Sequence, residues 1–136
     1  MIVVDSNIVA YLYLPGPFTA AAEALLEHDP QWAAPVLWRS EFRNILAGYM
    51  RRGVLGLDQA CALQREAESL LDETGFEVDS LSVLELVAGS DCSAYDCEFV
   101  ALANQLGTSL VTMDTKLLRA FPERSVPLTP HSWQST

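Results

Sequence analysis

The chain begins with the stretch MIVVDSNIVAYLYL, residues 1–14, which places a strand, an acid and a helix in direct succession. Residues 2–4 form a short β-branched run, which is typical of a strand buried inside a sheet. Asp5 and the two polar residues after it offer helix-capping side chains, so a helix is predicted from Ile8 to Leu14, where a Pro-Gly-Pro turn stops it. This stretch therefore predicts an acid at the carboxyl end of a buried strand.

The same alternation of short strands and helices continues along the rest of the chain. Further strands are predicted at 32–36, Phe76–Val78, Leu110–Thr112 and Val126–Leu128, the last at an edge because of its proline. Further helices are predicted at Thr19–Glu27, Val36–Arg52, Asp58–Leu71 with Asp58 as its cap, Ser82–Ala88, Ser93–Leu106 and Thr115–Phe121. This order predicts an α/β fold with a largely parallel sheet, in one domain spanning 1–136. The tail at 130–136 is expected to be loosely ordered, with its Trp133 packing back onto the domain.

Composition restricts the possible functions. Eight Lys and Arg residues against 18 Asp and Glu give a net charge of −10, whereas nucleic-acid binders usually have a basic face. The apolar start of the chain is too short for a signal peptide, and no apolar run approaches the roughly 18 residues of a membrane span. A soluble, cytoplasmic protein without a membrane partner is expected. The cysteines Cys61, Cys92 and Cys97 are odd in number and form no C-x-x-C pair, which predicts reduced, mostly buried thiols.

Four acids occupy positions that a soluble domain does not normally give to charged residues, namely Asp5, Glu41, Asp96 and Asp114. Asp5 and Asp114 directly follow predicted strands, and ligands of open parallel sheets bind at the carboxyl ends of strands. Glu41 lies within the apolar arc of its helix, where a charge is seldom buried without a partner. Carboxylates brought close together raise one another's pKa, and Mg²⁺ or Mn²⁺ removes this conflict. The four acids thus predict a metal-dependent phosphodiester chemistry.

Each acid also has a purely structural interpretation. Asp5, Asp96 and Asp114 are all placed to act as helix caps, Asp96 within a capping box that begins at Ser93. Asn7 is a further candidate for a cap. Glu41 would instead form a salt bridge with Arg39 or Arg43, although side chains two residues apart point in different directions on a regular helix. Asp91 is expected to be solvated in a turn, while Tyr95 and Phe99 are expected in the core.

The positive charges are concentrated on two segments. Six of the eight cations, Arg39, Arg43, Arg51, Arg52, Lys116 and Arg119, lie on the helix of Glu41 or after Asp114. They would either form a rim that binds phosphates, with Arg39, Arg43 and Lys116 as the first candidates, or be ordinary solvated helix faces. The chain has no phosphate-binding glycine motif and no Ser-His-Asp arrangement, which disfavours nucleotide-dependent chemistry and a protein nucleophile.

The strings MIVVDSN, WRSEFRNIL, SAYDCEFVALANQLG and LVTMD, at these separations, resemble the PIN-domain family and within it the VapC-type toxin ribonucleases. The resemblance runs from Met1 to about Leu128. It implies a three-layer α/β/α sandwich around a short, mostly parallel sheet. It also implies that Asp5, Glu41, Asp96 and Asp114 bind one or two Mg²⁺ or Mn²⁺ ions, with Asn7 and Thr112 in support.

The implied activity is endoribonuclease cleavage of tRNA, rRNA or mRNA, and the implied partners are a second copy of the chain and an antitoxin protein. A metal-activated water would attack the phosphorus in line and leave a 5′-phosphate. The alternative is a non-catalytic module that binds metal, protein or RNA. A receiver-like phosphoacceptor is disfavoured, because that class needs two adjacent acids after its first strand and a lysine at the end of a later one.

Overall fold

The computed structural model describes residues 1–71 and 75–129. Its sheet contains β1 (Ile2–Val4), β2 (Trp32–Ala33), β3 (Leu110–Val111) and β4 (Ser125–Val126). These strands are parallel and lie in the order β2, β1, β3, β4. Val3 of β1 pairs with Ala33 of β2 on one side and with Leu110 of β3 on the other, which defines the register of these three strands. The two central strands are fully buried, which explains their continuous apolar runs.

The helices lie in two groups on either side of this sheet, as predicted for an α/β/α sandwich. They are α1 (Ser6–Tyr13), α2 (Thr19–His28), α3 (Trp38–Arg51), α4 (Leu57–Leu70), α5 (Ser80–Ala88), α6 (Ala94–Leu106) and α7 (Thr115–Ala120). Helix α1 packs against α2, α3 and α4, whereas α6 packs on β1 and β3 and supports α5. The largest side chains of the core, Trp38, Phe42 and Phe99, are almost completely buried. Through the described ranges, no helix is long and apolar enough to cross a membrane.

The predicted strand at Phe76–Val78 is wrong. Phe76 forms only one isolated parallel bridge, to Pro35, and its carbonyl accepts a hydrogen bond from the Val36 amide at 3.1 Å. Gly75, with φ of 63°, lies so close to Val36 that an added Cβ would stand 3.3 Å from the valine side chain. Because Val36 is held in this bridge, α3 begins two residues later than predicted, at Trp38.

Most predicted helix ends agree with the structure to within two residues, with one wrong cap. Helix α4 is preceded by Gly56, whose amide donates to Gln59 Oε1 at 2.8 Å, so Asp58 lies in the first turn instead of capping it. The edge strand is shifted to Ser125–Val126, ahead of the proline. All three cysteines are free, and Cys61 is exposed whereas Cys92 and Cys97 are buried. The predicted loose tail at 130–136, including the packing of Trp133, lies outside the described residues.

Candidate active site

An open cleft of about 430 Å³ lies at the carboxyl ends of the two central strands, and all four predicted acids line it. Each acid comes from a different part of the fold: Asp5 follows β1, Glu41 belongs to α3, Asp96 to α6, and Asp114 follows β3. The polar part of the remaining lining consists of Ser6, Asn7, Ser40 and Asn44, and the apolar part of Leu37, Ile45, Tyr95 and Phe99. Residues far apart in sequence thus converge on one acidic surface.

Thr112 connects the two acids that follow the central strands. Its hydroxyl donates a short hydrogen bond to Asp5 Oδ2 and accepts one from the Asp114 amide at 3.0 Å. Asp5 Oδ1 accepts from the Ile8 amide at 3.1 Å, so Asp5 caps α1, and Asp114 Oδ1 caps α7 by accepting from Lys116 N at 2.8 Å. The carboxylates of Asp5 and Asp114 each cap a helix and also line the cleft. A capping role therefore does not exclude a role in the site.

Glu41 is held by a residue that the sequence analysis treated only as part of a cap. Ser6 Oγ donates to Glu41 Oε1 at 2.7 Å and so joins the start of α1 to the first turn of α3. The predicted salt bridge is not formed: Arg39 lies 3.9 Å from Glu68, and Arg43 donates to the Arg39 carbonyl and the Ser40 hydroxyl. The alternative that Glu41 is only an ion-pair partner is therefore wrong.

Asp96 occupies the first turn of α6, whose cap is Ser93. The Ser93 hydroxyl accepts from the Asp96 amide at 3.1 Å, which confirms Ser93 as the start of the helix. Asp96 and Asp114 both line the cleft, and burial, followed by the negative charge of Asp114, raises the pKa of Asp96. Asp91, five residues earlier, is exposed in the preceding turn and stays outside the cleft lining.

Burial and mutual repulsion raise the pKa of three of these acids. Burial is the largest cause for Asp5, whose pKa rises from 3.8 to about 6 despite its hydrogen bonds to Thr112 and the backbone, with a further contribution from Glu41. The pKa of Glu41 is raised by burial and by the charges of Asp96 and Glu98, while the Ser6 hydroxyl opposes this rise. Burial also raises the pKa of Asp96, ahead of Asp114. Each acid is thus more costly to ionise because its neighbours are ionised too.

This donor set suits a hard divalent cation. Carboxylate and hydroxyl oxygens are the ligands that Mg²⁺ takes in proteins, and Mg²⁺ usually keeps several waters, for which an open cleft has room. A cation between the acids would also relieve the repulsion that raises their pKa values. As the side chains stand in residues 1–71 and 75–129, no three His, Cys, Asp or Glu residues are close enough together to hold a metal ion. The donor chemistry of the lining fits the ion, whereas the spacing of the acids does not form a ready-made site of three or more protein ligands.

The predicted phosphate-binding cations stand outside the cleft. In the part of the chain that the structure describes, the cleft lining contains no lysine or arginine. Arg39 is partly buried beside Glu68, and Arg43 is exposed next to Ser40, a lining residue. Lys116 Nζ donates to the Asp91 carbonyl at 3.3 Å, and its charge lowers the pKa of Asp96. Arg43 and Lys116 thus border the acidic surface, and their contact with phosphate stays a prediction.

Three polar residues of the lining were not among the predicted site residues, and a fourth lining residue, Tyr95, was predicted in the wrong environment. Ser6, Ser40 and Asn44 each present a polar group to the cleft. A helical-spacing signal was available for Asn44, which lies three residues after Glu41 and shares its helix face. Tyr95 was predicted in the core but is 63% exposed, because it lies in the first turn of α6 and borders the open cleft.

Comparisons with known proteins agree with this fold. The sequence profile of the PIN domain matches residues 2–121. A curated relative, "Ribonuclease VapC3" of Pyrobaculum aerophilum, is 29% identical over 136 residues, covering 93% of this chain and 98% of that protein. The crystal structure of PAE2754 from Pyrobaculum aerophilum superposes with a TM-score of 0.71 at 23% identity, over 93% of this chain and 90% of that one. A toxin–antitoxin complex from Klebsiella pneumoniae contains a chain with a TM-score of 0.72 at 20% identity, over 95% of this chain and 98% of that one.

Proposed function

This chain belongs to the PIN domain family, and from that premise we propose that it is a metal-dependent endoribonuclease that acts as the toxin of a toxin–antitoxin pair. The observation that carries the proposal is the convergence of Asp5, Glu41, Asp96 and Asp114, from four separate elements, on one open cleft. The relative named as a ribonuclease aligns over 93% of this chain, which supports the same chemistry here.

Within this proposal, Asp5, Asp96 and Asp114 would hold Mg²⁺ or Mn²⁺, directly or through water, and Glu41 would hold a second ion or orient the attacking water. When bound, the metal lowers the pKa of water and stabilises the charge that develops on the phosphate. A water oriented in this way would attack the phosphorus in line while the bond from phosphorus to the 3′-oxygen breaks. The water would release one proton to solvent, and the 3′-oxygen would take up one proton from solvent. The products are a 3′-hydroxyl and a 5′-phosphate.

The other tasks belong to residues of the chain that hold the acids in place. Thr112, which is buried, bonds both the carboxylate of Asp5 and the amide of Asp114 and so fixes the two acids relative to each other. Ser6 donates to Glu41 Oε1, so Oε2 would be the oxygen that accepts a hydrogen bond from the attacking water. The helix caps thereby also serve to fix carboxylate oxygens, which keeps the site ordered before substrate arrives.

The proposed partners are an RNA substrate, an antitoxin protein and a second copy of the chain. The Klebsiella pneumoniae relative is described as a toxin–antitoxin complex, which supports a protein partner for this chain. Large apolar side chains are available for such contacts: Val54 and Leu57 between α3 and α4 are 58% and 65% exposed, and Leu81 and Leu84 on α5 are 70% and 57% exposed.

The test is cleavage of total cellular RNA by the purified chain, with Mg²⁺ or Mn²⁺ and with EDTA. Asp96→Asn removes one lining acid, and Asp91→Asn is the matched control, an equal change of charge at an exposed position outside the cleft. We expect discrete metal-dependent cuts from the wild type and from Asp91→Asn, and no cuts from Asp96→Asn. Cuts that persist equally in EDTA and in Asp96→Asn would refute the nuclease assignment. Metal binding by calorimetry without cleavage would instead support a binding-only module.

A further inference from the structure

Positive and negative charges are separated along the chain. Residues 38–65, which include α3, α4 and the turn between them, carry five of the eight Lys and Arg residues and only two acids. Residues 66–115, which include α5 and α6, carry 11 acids and no Lys or Arg. Each copy of the chain has a net charge of −10, so two copies repel each other in most orientations. They attract only where the first region of one copy faces the second region of the other.

An apolar groove with acidic charges lies mainly in the second region. It encloses about 460 Å³ and is lined by α5, by the first turns of α6 and by the segments around Val36 and Phe76. Its charged groups are Glu77 and Glu98, which form no ion pair and no hydrogen bond within the described residues. Leu84, part of its apolar wall, is 57% exposed. This surface, called the acidic groove below, thus presents carboxylates without a cation beside apolar walls without a cover.

The turn between α3 and α4 has the opposite character. Residues 50–57, called the basic turn below, contain no acid. Arg51 and Arg52 are exposed, and so are two apolar side chains beside them, Val54 at 58% and Leu57 at 65%. The Arg52 guanidinium carbon lies 4.5 Å from the centre of the Tyr49 ring, so this side chain is partly ordered before a partner arrives. Cations next to uncovered apolar side chains are the complement of the acidic groove.

The two surfaces lie at opposite ends of α3. Val36 of the acidic groove stands two residues before the helix, and the basic turn begins within its last turn. The 14 residues of α3 separate them by about 20 Å, from the rise of 1.5 Å for each residue. A single exposed apolar side chain is ordinary, but five of the nine large ones exposed in the described residues belong to these two surfaces. Such clustering is typical of a protein contact.

We propose that two copies of the chain associate about a two-fold axis across the middle of α3, so that the basic turn of each copy docks in the acidic groove of the other. A two-fold interface repeats every contact, so each dimer gains two sets of ionic and apolar contacts. The cations of the turn reach Glu77 and Glu98, while Val54 and Leu57 cover the apolar walls. The proposed function includes a second copy without assigning its surface. This inference assigns the surface and rests on no step of the nuclease chemistry.

The test measures the mass of the purified protein by sedimentation equilibrium at several concentrations, in EDTA and without RNA. Arg51→Glu with Arg52→Glu reverses the charge of the basic turn, and Glu77→Lys with Glu98→Lys reverses that of the acidic groove. Circular dichroism checks the folding of each variant, and Glu77→Gln with Glu98→Gln is the milder form of the groove variant. The matched controls make equal changes of charge at exposed positions outside both surfaces, namely Arg65→Glu with Arg119→Glu, and Glu23→Lys with Glu27→Lys.

We expect the wild type and both controls to be dimers. Each reversed variant should be monomeric, with the dissociation constant of the dimer raised at least about 100-fold, because like charges then meet at both contacts. The glutamine variant should show a smaller loss in the same direction. A mixture of the two reversed variants should form dimers again, because each acidic turn then faces a basic groove and each basic turn an acidic groove.

Several results would overturn this interface. Reversed variants that dimerise as well as the controls, or a mixture of folded variants that stays monomeric, would place the contact elsewhere on the molecule. A wild type that is monomeric at every concentration would assign the acidic groove to a different, basic protein. Wild-type species larger than a dimer would exclude the two-fold arrangement, since contacts between turn and groove would then fail to close.

The two proposals fail in different ways. If the nuclease assignment is wrong, the wild type will show no metal-dependent cleavage of RNA, whatever its mass in solution. If only the interface is wrong, cleavage by the wild type will persist, and the reversed variants will keep the mass of the wild type.

Discussion

Replacing Asp5 by asparagine is expected to stabilise the protein at neutral and alkaline pH in the absence of metal. Asp5 is 8% exposed, and burial together with the charge of Glu41 raises its pKa from 3.8 to about 6. A carboxyl whose pKa is higher in the folded state holds more protons there than in the unfolded chain. Stability therefore falls as the pH rises from about 4 to above 6. Asparagine has a similar shape, keeps an acceptor oxygen for the Ile8 amide, and has no charge to bury.

The size of the effect follows from the two pKa values. The difference between 3.8 and about 6, at about 1.4 kcal/mol for each pKa unit, amounts to about 3 kcal/mol at pH 8. The asparagine amide would face the Thr112 hydroxyl less favourably than the carboxylate does, which offsets about 1 kcal/mol. A net gain of about 2 kcal/mol is expected at pH 8. The hydrogen-bond offset does not depend on pH, whereas about half of the electrostatic cost develops between pH 5 and pH 8.

The assay is urea unfolding of the wild type and Asp5→Asn in EDTA at several pH values from 5 to 8. The free energies of unfolding are compared at each pH, so that titrations common to both proteins cancel. The advantage of Asp5→Asn should grow steadily with pH. A constant difference across this range, or a variant less stable than the wild type at pH 8, would refute the view that Asp5 is an acid ionised at a cost in the folded state.

Four further predictions concern the other parts of the site. Asp96→Asn is expected to lower the cleavage rate at least about a hundredfold with an unchanged or higher urea midpoint; lost stability with normal activity per folded molecule would instead assign Asp96 to helix capping alone. Thr112→Val keeps the shape but removes the hydroxyl that bonds Asp5, so it should cost about 1–3 kcal/mol in urea unfolding, and Thr112→Ser should recover most of it. Ser6→Ala should move the acid limb of the pH–activity profile to higher pH, because the Ser6 hydroxyl lowers the pKa of Glu41; an unmoved limb would show that Glu41 does not limit activity. Mg²⁺ at a hundred times its dissociation constant should stabilise the wild type by about 2.7 kcal/mol, which raises the thermal midpoint, and EDTA should reverse the rise. An equal rise in Asp5→Asn would place the ion elsewhere.

Local signals in the sequence predicted the alternation of strands and helices and singled out the four acids, while the family resemblance implied the three-layer arrangement. The apolar runs at 2–4 and 110–111 are buried strands because both of their faces are covered, and such strands appear as continuous apolar segments. Asp5 and Asp114 were located because an acid directly after such a strand must lie at the carboxyl edge of a parallel sheet. Glu41 was located because a charge on an apolar helix face needs a partner.

Contacts between elements distant in sequence were not accessible in this way. The bond from Ser6 to Glu41 joins residues 35 apart, and the bond from Thr112 to Asp5 joins residues 107 apart. Nothing in the local pattern distinguishes Tyr95 from Phe99, since both lie on the apolar stripe of α6, yet one is 63% exposed and the other 2%. The difference depends on what packs against each ring: Tyr95 borders the open cleft in the first turn of the helix, whereas Phe99, one turn later, is packed into the core.

The sequence by itself determined which residue types follow each strand and begin each helix, because capping and periodicity act over three or four neighbouring residues. Only the tertiary structure decided that four acids share one cleft, that Ser6 and Thr112 hold two of them, and that Arg39 pairs with Glu68 and stays outside the cleft lining. The physical reason is that the pKa of an acid, the exposure of a ring and the partner of a cation depend on distances between packed elements. Those distances are set by the fold as a whole.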